Sequence, residues 1–227
     1  LIVGSVRCVY ETGILTDKSK YKKRIIDKTI EDYLKVSGAI CVEGPKWCGK
    51  TWASAFHSNS EFLVGDPANN FNNRKIAELN PALILQGDAP RLIDEWQEVP
   101  SIWDATRAEV DKRHEKGQLI LTGSSTPKKK GIMHSGSGRI VKIRMNTMSL
   151  YESDDSTGNI SLFDLCNGVF EDQLLEEVSL EKLANLIVRG GWPENISAPD
   201  NLLHLMPRAY MDLSLIHISE PTRLGMI

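Results

Sequence analysis

The sequence predicts an α/β protein, because apolar strand-like runs alternate with helical patterns and end in glycine-rich or polar segments. The first run, residues 39–42, leads into the loop GPKWCGKT at residues 44–51, and helix-forming residues follow it. Two later apolar runs end in the acidic pair Asp94 and Glu95 and in the polar cluster TGSST at residues 122–126. Strand, glycine loop and helix therefore occur in the order that a phosphate-binding loop requires.

Composition indicates an ordinary globular protein. The 227 residues are 41% hydrophobic and 25% charged, which is enough apolar content for a sizeable core. The net charge of −3 provides no overall positive field that would attract nucleic acid or an anionic membrane. We find no apolar run near the roughly 20 residues that cross a bilayer, no export signal and no CxxC pair. We therefore expect a cytoplasmic protein with no membrane association, no disulfide framework and no structural zinc.

Both termini resemble translated sequencing adapter. The segment LSLIHISEPTR at residues 213–223 reads codon by codon as a library adapter, and residues 3–12 resemble the partner adapter with one departure at Tyr10. We expect residues 1–12 and 213–227 to be adapter-derived, poorly packed tails, with the natural insert running from about Gly13 to Asp212. Native tails are the alternative.

The residues before the first strand predict an amphipathic helix. Residues 24–37 (RIIDKTIEDYLKVS) place their apolar side chains at helical spacing, and Gly38 ends the pattern. This helix is expected to lead directly into the buried strand at residues 39–42.

The loop GPKWCGKT matches the pattern G-x-x-x-x-G-K-[ST]. Its glycines allow successive backbone N–H groups to point at phosphate oxygens, and the helix that begins near Gly49 adds its positive dipole end. We expect Lys50 to reach the β and γ phosphates and the Thr51 hydroxyl to ligate Mg²⁺. The predicted nucleotide-binding residues are Gly44, Pro45, Lys46, Trp47, Cys48, Gly49, Lys50 and Thr51.

The segment PRLIDEWQEVP at residues 90–100 supplies a predicted second half of the site. Asp94 and Glu95 follow the apolar pair at residues 92–93, and at the carboxyl end of a strand both carboxylates can reach a nucleotide crevice. Asp94 is expected to hold the Mg²⁺ shell and Glu95 to orient and polarise the attacking water. A solvated acidic pair is the alternative.

A third contribution is expected from the strand in QLILTGSST at residues 118–126. A polar side chain at its end is expected to contact the γ-phosphate or the attacking water. Ser124 is our choice, with Thr122 and Ser125 as rivals. A plain Gly-Ser turn is the alternative.

Two arginines are candidates for different roles. Arg139 follows a glycine-rich stretch and precedes the alternating strand at residues 140–145, so it is a candidate arginine finger acting in trans within a homo-oligomer; an ordinary surface arginine is the alternative. Arg107, in the helical segment at residues 101–116, is expected to be structural and to pair with Asp104 and Asp111.

Other conspicuous side chains receive structural interpretations. The tryptophans Trp47, Trp52, Trp96 and Trp192 are interpreted as packing residues rather than adenine stackers. The lysine run at residues 128–130 is interpreted as a solvated loop, with contact to DNA as the alternative.

Together these segments resemble a known family. EGPKWCGKT, PRLIDEWQEVPSIWDATRAEVD, LTGSS, GR before RMNTMSLYES, and RGGWP at residues 189–193 are similar to prokaryotic AAA-type ATP-binding proteins that carry an uncharacterised C-terminal domain. The resemblance covers about Tyr21 to Asp212. It implies a three-layer αβα P-loop NTPase fold of the additional-strand type, with a mainly parallel sheet in which the strand ending in LTGSS separates the acidic strand from the phosphate-loop strand.

The resemblance also implies organisation and chemistry. Residues 13–150 are expected to form the ATPase core, and residues 151–212 a connecting segment and the start of a truncated, mostly helical C-terminal region. ATP and Mg²⁺ are the implied ligands, with roles for Lys50, Thr51, Asp94 and Glu95.

The leading hypothesis is an ATPase in which hydrolysis drives a conformational change in the attached C-terminal domain. The alternatives are a nucleotide-binding regulatory module with negligible turnover, the ATPase module of a DNA-acting protein, and a small-molecule kinase. The adjacent Asp-Glu pair argues against the kinase, because an activated water suits hydrolysis.

Overall fold

The computed structural model describes residues 17–124, 133, 135–169 and 178–218. The chain divides into two compact units, Leu1–Asn146 and Thr147–Ile227. The first unit contains a parallel sheet, and the regular elements in the described part of the second are helices.

The described residues of the first unit form a five-stranded sheet in which every pairing is parallel. The strand order is β2-β3-β4-β1-β5. β4 therefore lies between the strand that precedes the glycine loop and the strand that ends at Asp94, which confirms the arrangement implied by the resemblance. The strands are β1 (Ala39–Gly44), β2 (Ser60–Leu63), β3 (Arg91–Asp94), β4 (Leu119–Ser124) and β5 (Ile140–Arg144).

Helices cover both faces of this sheet. Alternate residues of β1 enter different cores: Ala39 and Cys41 belong to one buried cluster, whereas Ile40 and Val42 belong to the other. Burial on both faces explains why β1 reads as a continuous apolar run. The result is the predicted three-layer αβα fold. The helices are α1 (Ile26–Val36) and α2 (Lys50–Phe56) on one face, and α3 (Ala68–Leu79), α4 (Pro81–Ile84) and α5 (Ser101–Arg113) on the other.

The strand register brings the predicted site residues to one edge. Gly44 of β1 lies beside Ser124 of β4, and Ile93 of β3 lies beside Leu121 of β4. Because all strands run in the same direction, the glycine loop and the acidic pair emerge from the same carboxyl edge of the sheet.

The second unit is helical in its described part, as expected. It contains α6 (Leu162–Cys166), α7 (Leu180–Arg189) and α8 (Leu205–Ile218). Arg189 is buried, and its guanidinium contacts Asp155 at 2.6 Å. A Cβ on Gly191 would lie 2.1 Å from the backbone oxygen of Met148, so the RGGWP segment needs glycine at this close approach.

The described residues include only a small part of the two predicted adapter-derived tails. Residues 1–12 lie outside the described residues, and of residues 213–227 only the backbone of 213–218 is described, as the end of α8. Adapter origin therefore stays a prediction. Within the described ranges, no helix combines the length and apolar character needed to cross a bilayer.

Candidate active site

The glycine loop joins β1 to α2, and its backbone adopts conformations that favour glycine. Gly49 has φ +97° immediately before α2 begins at Lys50, and Trp47 also has a positive φ of +63°. A Cβ on Gly44 would lie 2.3 Å from the backbone oxygen of Met145. Two of the predicted nucleotide-binding glycines are thus required by local geometry, one by its φ and the other by a close approach.

Lys50 lies within the curve of this loop. Its side chain is buried, and its Nζ donates a hydrogen bond to the Pro45 carbonyl at 2.9 Å. A buried ammonium that the loop backbone holds in place provides a positive charge where phosphate oxygens are expected.

Arg24, in the segment before α1, braces the loop in a role that no sequence motif indicates. Its guanidinium is buried and donates from Nη1 to the Cys48 carbonyl at 2.8 Å and from Nη2 to the Asn146 carbonyl at 3.0 Å. Arg24 therefore connects the glycine loop to the chain that leaves β5. Nothing in the pattern RIIDKT distinguishes this arginine from a surface residue.

Asp27 forms a buried polar cluster beside this brace. Its carboxylate accepts hydrogen bonds from the Tyr21 hydroxyl at 2.7 Å and from the Arg24 backbone N–H at 2.8 Å. The His57 Nε2 atom lies 3.0 Å from the same carboxylate. Burial acts to raise the pKa of Asp27, but the hydrogen bonds from His57, Arg24 and Tyr21 outweigh it and lower the pKa below its usual value.

Asp94, at the end of β3, contacts both α2 and β4. Its Oδ1 accepts a hydrogen bond from the Thr51 hydroxyl of α2 at 2.9 Å and a short one from the Thr122 hydroxyl of β4. Burial raises the pKa of the Asp94 carboxyl, against the hydrogen bonds from Thr122 and Thr51 and the positive charge of Lys50. The buried Glu61 of β2 raises it further. The hydrogen bond from Thr51 places the two predicted metal ligands, Thr51 and Asp94, in direct contact.

Glu95 lies where the chain turns sharply after β3. Its backbone is left-handed, with φ +56° and ψ +45°, a conformation that costs free energy for a residue other than glycine. The Glu95 N–H donates to the Thr122 hydroxyl at 3.3 Å, and the Glu95 carboxylate accepts a short hydrogen bond from the Gln97 side chain. Strain of this kind is typical of functional positions.

Thr122, Ser124 and Ser125, the three candidates for contact with the γ-phosphate or the attacking water, differ in what the structure describes of them. Thr122 contacts both Asp94 and the Glu95 backbone. Ser124 ends β4, but its side chain is not among the described residues, and Ser125 lies outside the described ranges. The choice of Ser124 stays a prediction, whereas Thr122 has a demonstrated contact with the acidic pair.

The two arginines considered above share one partner. Arg139 contacts Asp111 at 2.8 Å, and Arg107 contacts the same carboxylate at 3.2 Å, which confirms the predicted Arg107–Asp111 pair. The Arg139 carbonyl accepts from the N–H of Ala39, so Arg139 lies at the amino end of β1, away from the glycine loop. A role for Arg139 in trans stays a prediction.

The tryptophans are only partly explained by packing. Trp96 is 2% exposed, and the half-buried Trp192 packs against Tyr210 with ring centroids 4.7 Å apart. Trp47 and Trp52, which flank Lys50, are each 42% exposed. The packing interpretation is therefore confirmed for Trp96, and for Trp47 and Trp52, beside the phosphate loop, it stays a prediction.

Other predicted features fall partly outside the described residues. The lysine run at residues 128–130 is among them, so its contact with solvent or DNA stays a prediction. In the described part of the chain, no three His, Cys, Asp or Glu side chains cluster as a metal site, and Cys41, Cys48 and Cys166 are free thiols.

Comparison with known proteins identifies a family and shows likeness to solved structures. Residues 36–153 match a family model described as an AAA domain. No curated protein matches the chain. Among solved structures, the chain is similar to AMPPCP-bound DnaA from Aquifex aeolicus, with 14% sequence identity and a TM-score of 0.45. The match covers 86% of this chain and 64% of the DnaA chain. This chain therefore spans less than two thirds of the length of DnaA.

Proposed function

Because this chain belongs to the AAA domain family, we propose that it binds ATP with Mg²⁺ and hydrolyses it. The observation that carries the proposal is the contact of 2.9 Å between Thr51, at the start of α2, and Asp94, at the end of β3. This contact joins the phosphate loop to the acidic pair in one site.

The phosphate loop supplies binding. Lys50 is buried beside the loop backbone, and it neutralises phosphate charge in the proposed complex. In the proposed complex, the N–H groups of the loop and of the first turn of α2 donate hydrogen bonds to the same phosphate groups. Arg24 maintains the loop conformation through the Cys48 carbonyl.

The residues present fit Mg²⁺. The Thr51 hydroxyl and the Asp94 carboxylate are hard oxygen donors that already lie in contact, and a magnesium site needs few protein ligands because it retains several waters. When bound, Mg²⁺ supplies charge neutralisation at the phosphate oxygens. Thr122 orients the carboxylate of Asp94.

Glu95 performs the chemical role in this proposal. It accepts a proton from the attacking water as the water oxygen bonds to the γ-phosphorus. The bond between that phosphorus and the β–γ bridging oxygen breaks, and its electron pair leaves with ADP. The products are ADP and inorganic phosphate, and the proton on Glu95 returns to solvent.

We extend the proposal to the second unit: ATP turnover in the first unit drives a conformational change in the second. The support is the resemblance of residues 151–212 to the region that follows the ATPase core in related proteins. Assembly into a homo-oligomer, with Arg139 acting in trans, belongs to the same proposal.

The test is phosphate release by the purified chain with ATP and Mg²⁺. Wild type is expected to release phosphate, and Glu95→Gln is expected to bind ATP with similar affinity by calorimetry while its turnover falls by about 100-fold or more. Glu98→Gln is the matched control, because Glu98 is an exposed glutamate in the same turn that contacts Arg74.

Three outcomes would redirect the proposal. Equal turnover by wild type and Glu95→Gln would refute the role of Glu95. Tight ATP binding without phosphate release would favour a regulatory nucleotide-binding module. Salt-dependent DNA binding by the chain would favour a DNA-acting protein.

A further inference from the structure

Gln97 lies against the carboxylate that the proposed reaction uses. Its Nε2 donates a short hydrogen bond to Glu95 Oε2. Because a carboxylate accepts hydrogen bonds and the amide oxygen cannot donate one, the amide must turn its NH₂ group toward Glu95. The contact therefore fixes the orientation of the Gln97 side chain.

In this orientation the amide oxygen of Gln97 is left without a hydrogen bond from any described residue. Gln97 Oε1 is buried and has no hydrogen-bond partner among the described residues. A buried acceptor without a partner is unfavourable, so the side chain is held here by its contact with Glu95 and not by its oxygen.

The backbone that delivers Gln97 is well anchored. Gln97 lies in the 3-10 turn Trp96–Glu98, which is closed by hydrogen bonds from the Glu98 N–H to the Glu95 carbonyl at 3.0 Å and from the Val99 N–H to the Trp96 carbonyl at 3.1 Å. Trp96 fixes the turn in the core, with its ring 4.8 Å from that of Trp103. The amide is thus presented to Glu95 by a turn that hydrogen bonds and the buried Trp96 hold in place.

Gly123 of β4 provides the space that this amide occupies. A Cβ on Gly123 would lie 2.4 Å from Gln97 Oε1 and 2.9 Å from Trp96 Nε1. Its φ lies outside the left-handed region, so a side chain at this position is disfavoured by its contact with Gln97 and not by backbone conformation. Any larger residue would push Gln97 away from Glu95.

We propose that Gln97 is a positioning residue that holds the Glu95 carboxylate in place, and that Gly123 is the residue that makes room for it. The Thr122 contact fixes the backbone of Glu95, whereas Gln97 fixes its side chain. The catalytic consequence rests on the proposed function, because the orientation of Glu95 matters for turnover only if Glu95 activates water.

The first test compares steady-state kinetics of two matched variants in the full chain. Gln97→Leu keeps the side-chain size and removes the amide, so kcat is expected to fall by about 10-fold to 100-fold while KM for ATP changes by no more than about 2-fold. Gln86→Leu is the control, because Gln86 Nε2 donates to Glu109 Oε1 at 3.1 Å in another amide–carboxylate pair. Wild-type kcat in Gln97→Leu, or an equal loss in Gln86→Leu, would overturn the positioning role.

Gly123→Ala provides a second kinetic test. It is expected to lower kcat in the wild-type background and to add little in the Gln97→Leu background, because both changes act on one contact. Fully additive losses would show that Gly123 acts independently of Gln97.

A spectroscopic test does not depend on turnover. The side-chain amide resonances of Gln97 in a ¹H–¹⁵N spectrum are identified by their loss in Gln97→Leu. Glu95→Ala is expected to move them, and Glu98→Ala is expected to leave them in place. Unmoved resonances in Glu95→Ala would overturn the proposal even if wild type hydrolyses ATP. A shift in a chain that releases no phosphate would retain the contact while refuting the proposed function.

Discussion

If the chain hydrolyses ATP as proposed, Thr122→Val is expected to weaken the response of this activity to Mg²⁺ by about 10-fold. Thr122 is buried, and its hydroxyl donates to Asp94 Oδ1 while it accepts the Glu95 N–H at 3.3 Å. Valine has nearly the same shape and lacks the hydroxyl, so the substitution removes both interactions without creating a large cavity.

The magnitude follows from the interactions that remain. A hydrogen bond to a charged group contributes about 1.5–3 kcal/mol, and the lower end applies because Thr51 still donates to Asp94 Oδ1 at 2.9 Å. A loss of about 1.4 kcal/mol corresponds to a factor of ten in a binding equilibrium. The free energy of unfolding is expected to fall by a similar amount.

The effect has a defined pH dependence. Burial raises the pKa of Asp94, and the Thr122 hydrogen bond opposes that rise. Without the hydroxyl the pKa rises further, so protons compete more strongly with Mg²⁺ for the carboxylate. The half-saturating Mg²⁺ concentration of the variant should therefore increase more at pH 5.5 than at pH 8.

The assay is phosphate release against Mg²⁺ concentration at both pH values, with urea unfolding measured in parallel. Thr106→Val is the matched control, because Thr106 is fully buried and its hydroxyl has no partner among the described residues. This control should leave the Mg²⁺ response unchanged and should not lower the free energy of unfolding. An unchanged Mg²⁺ response in Thr122→Val would refute the reasoning.

Two further substitutions test the brace behind the loop. Arg24→Lys is expected to weaken ATP binding several-fold with little change in kcat, because one ammonium cannot replace the contacts of 2.8 and 3.0 Å to Cys48 and Asn146; unchanged affinity by calorimetry would contradict this role. Asp27→Asn is expected to lower the free energy of unfolding by about 1–3 kcal/mol at pH 7. Because the pKa of Asp27 lies below its ordinary value of 3.8, its ionised form stabilises the fold above that pH and loses this contribution as the pH falls through the lowered pKa. The difference in the free energy of unfolding between Asp27→Asn and wild type, measured with urea, should narrow below about pH 4. A difference that stays constant with pH would contradict the stabilising role of the ionised Asp27 carboxylate.

The sequence predicted the parts of the molecule that depend on local pattern. The helix expected at residues 24–37 is observed at Ile26–Val36, and the strand after it is β1. The loop sequence required a curled backbone, which Gly49 provides. Three- and four-residue spacing along a helix predicted the Arg107–Asp111 pair.

The parts that could not be predicted depend on contacts between distant segments. Thr122 meets Asp94 only because β4 lies beside β3, and Arg24 reaches Cys48 only after α1 packs on the sheet. β2, α3 and α4 arise from residues 57–90, which carry no motif that predicts them. Gln97 could not be predicted for a different reason: an amide two residues after a carboxylate is a common pattern, and only the folded turn and Gly123 bring this amide to Glu95.

The exposure of Trp47 and Trp52 gives the molecule an intrinsic optical probe. Both indoles flank Lys50 and are solvent-accessible, whereas Trp96 and Trp103 are 2% exposed. Collisional quenchers such as iodide will therefore reach the first pair and not the second. A nucleotide that binds in the loop as proposed is expected to change the quenchable fraction of the emission, while loss of the core is expected to shift the emission of the protected pair. Ligand occupancy and unfolding can thus be followed separately in the same unlabelled sample.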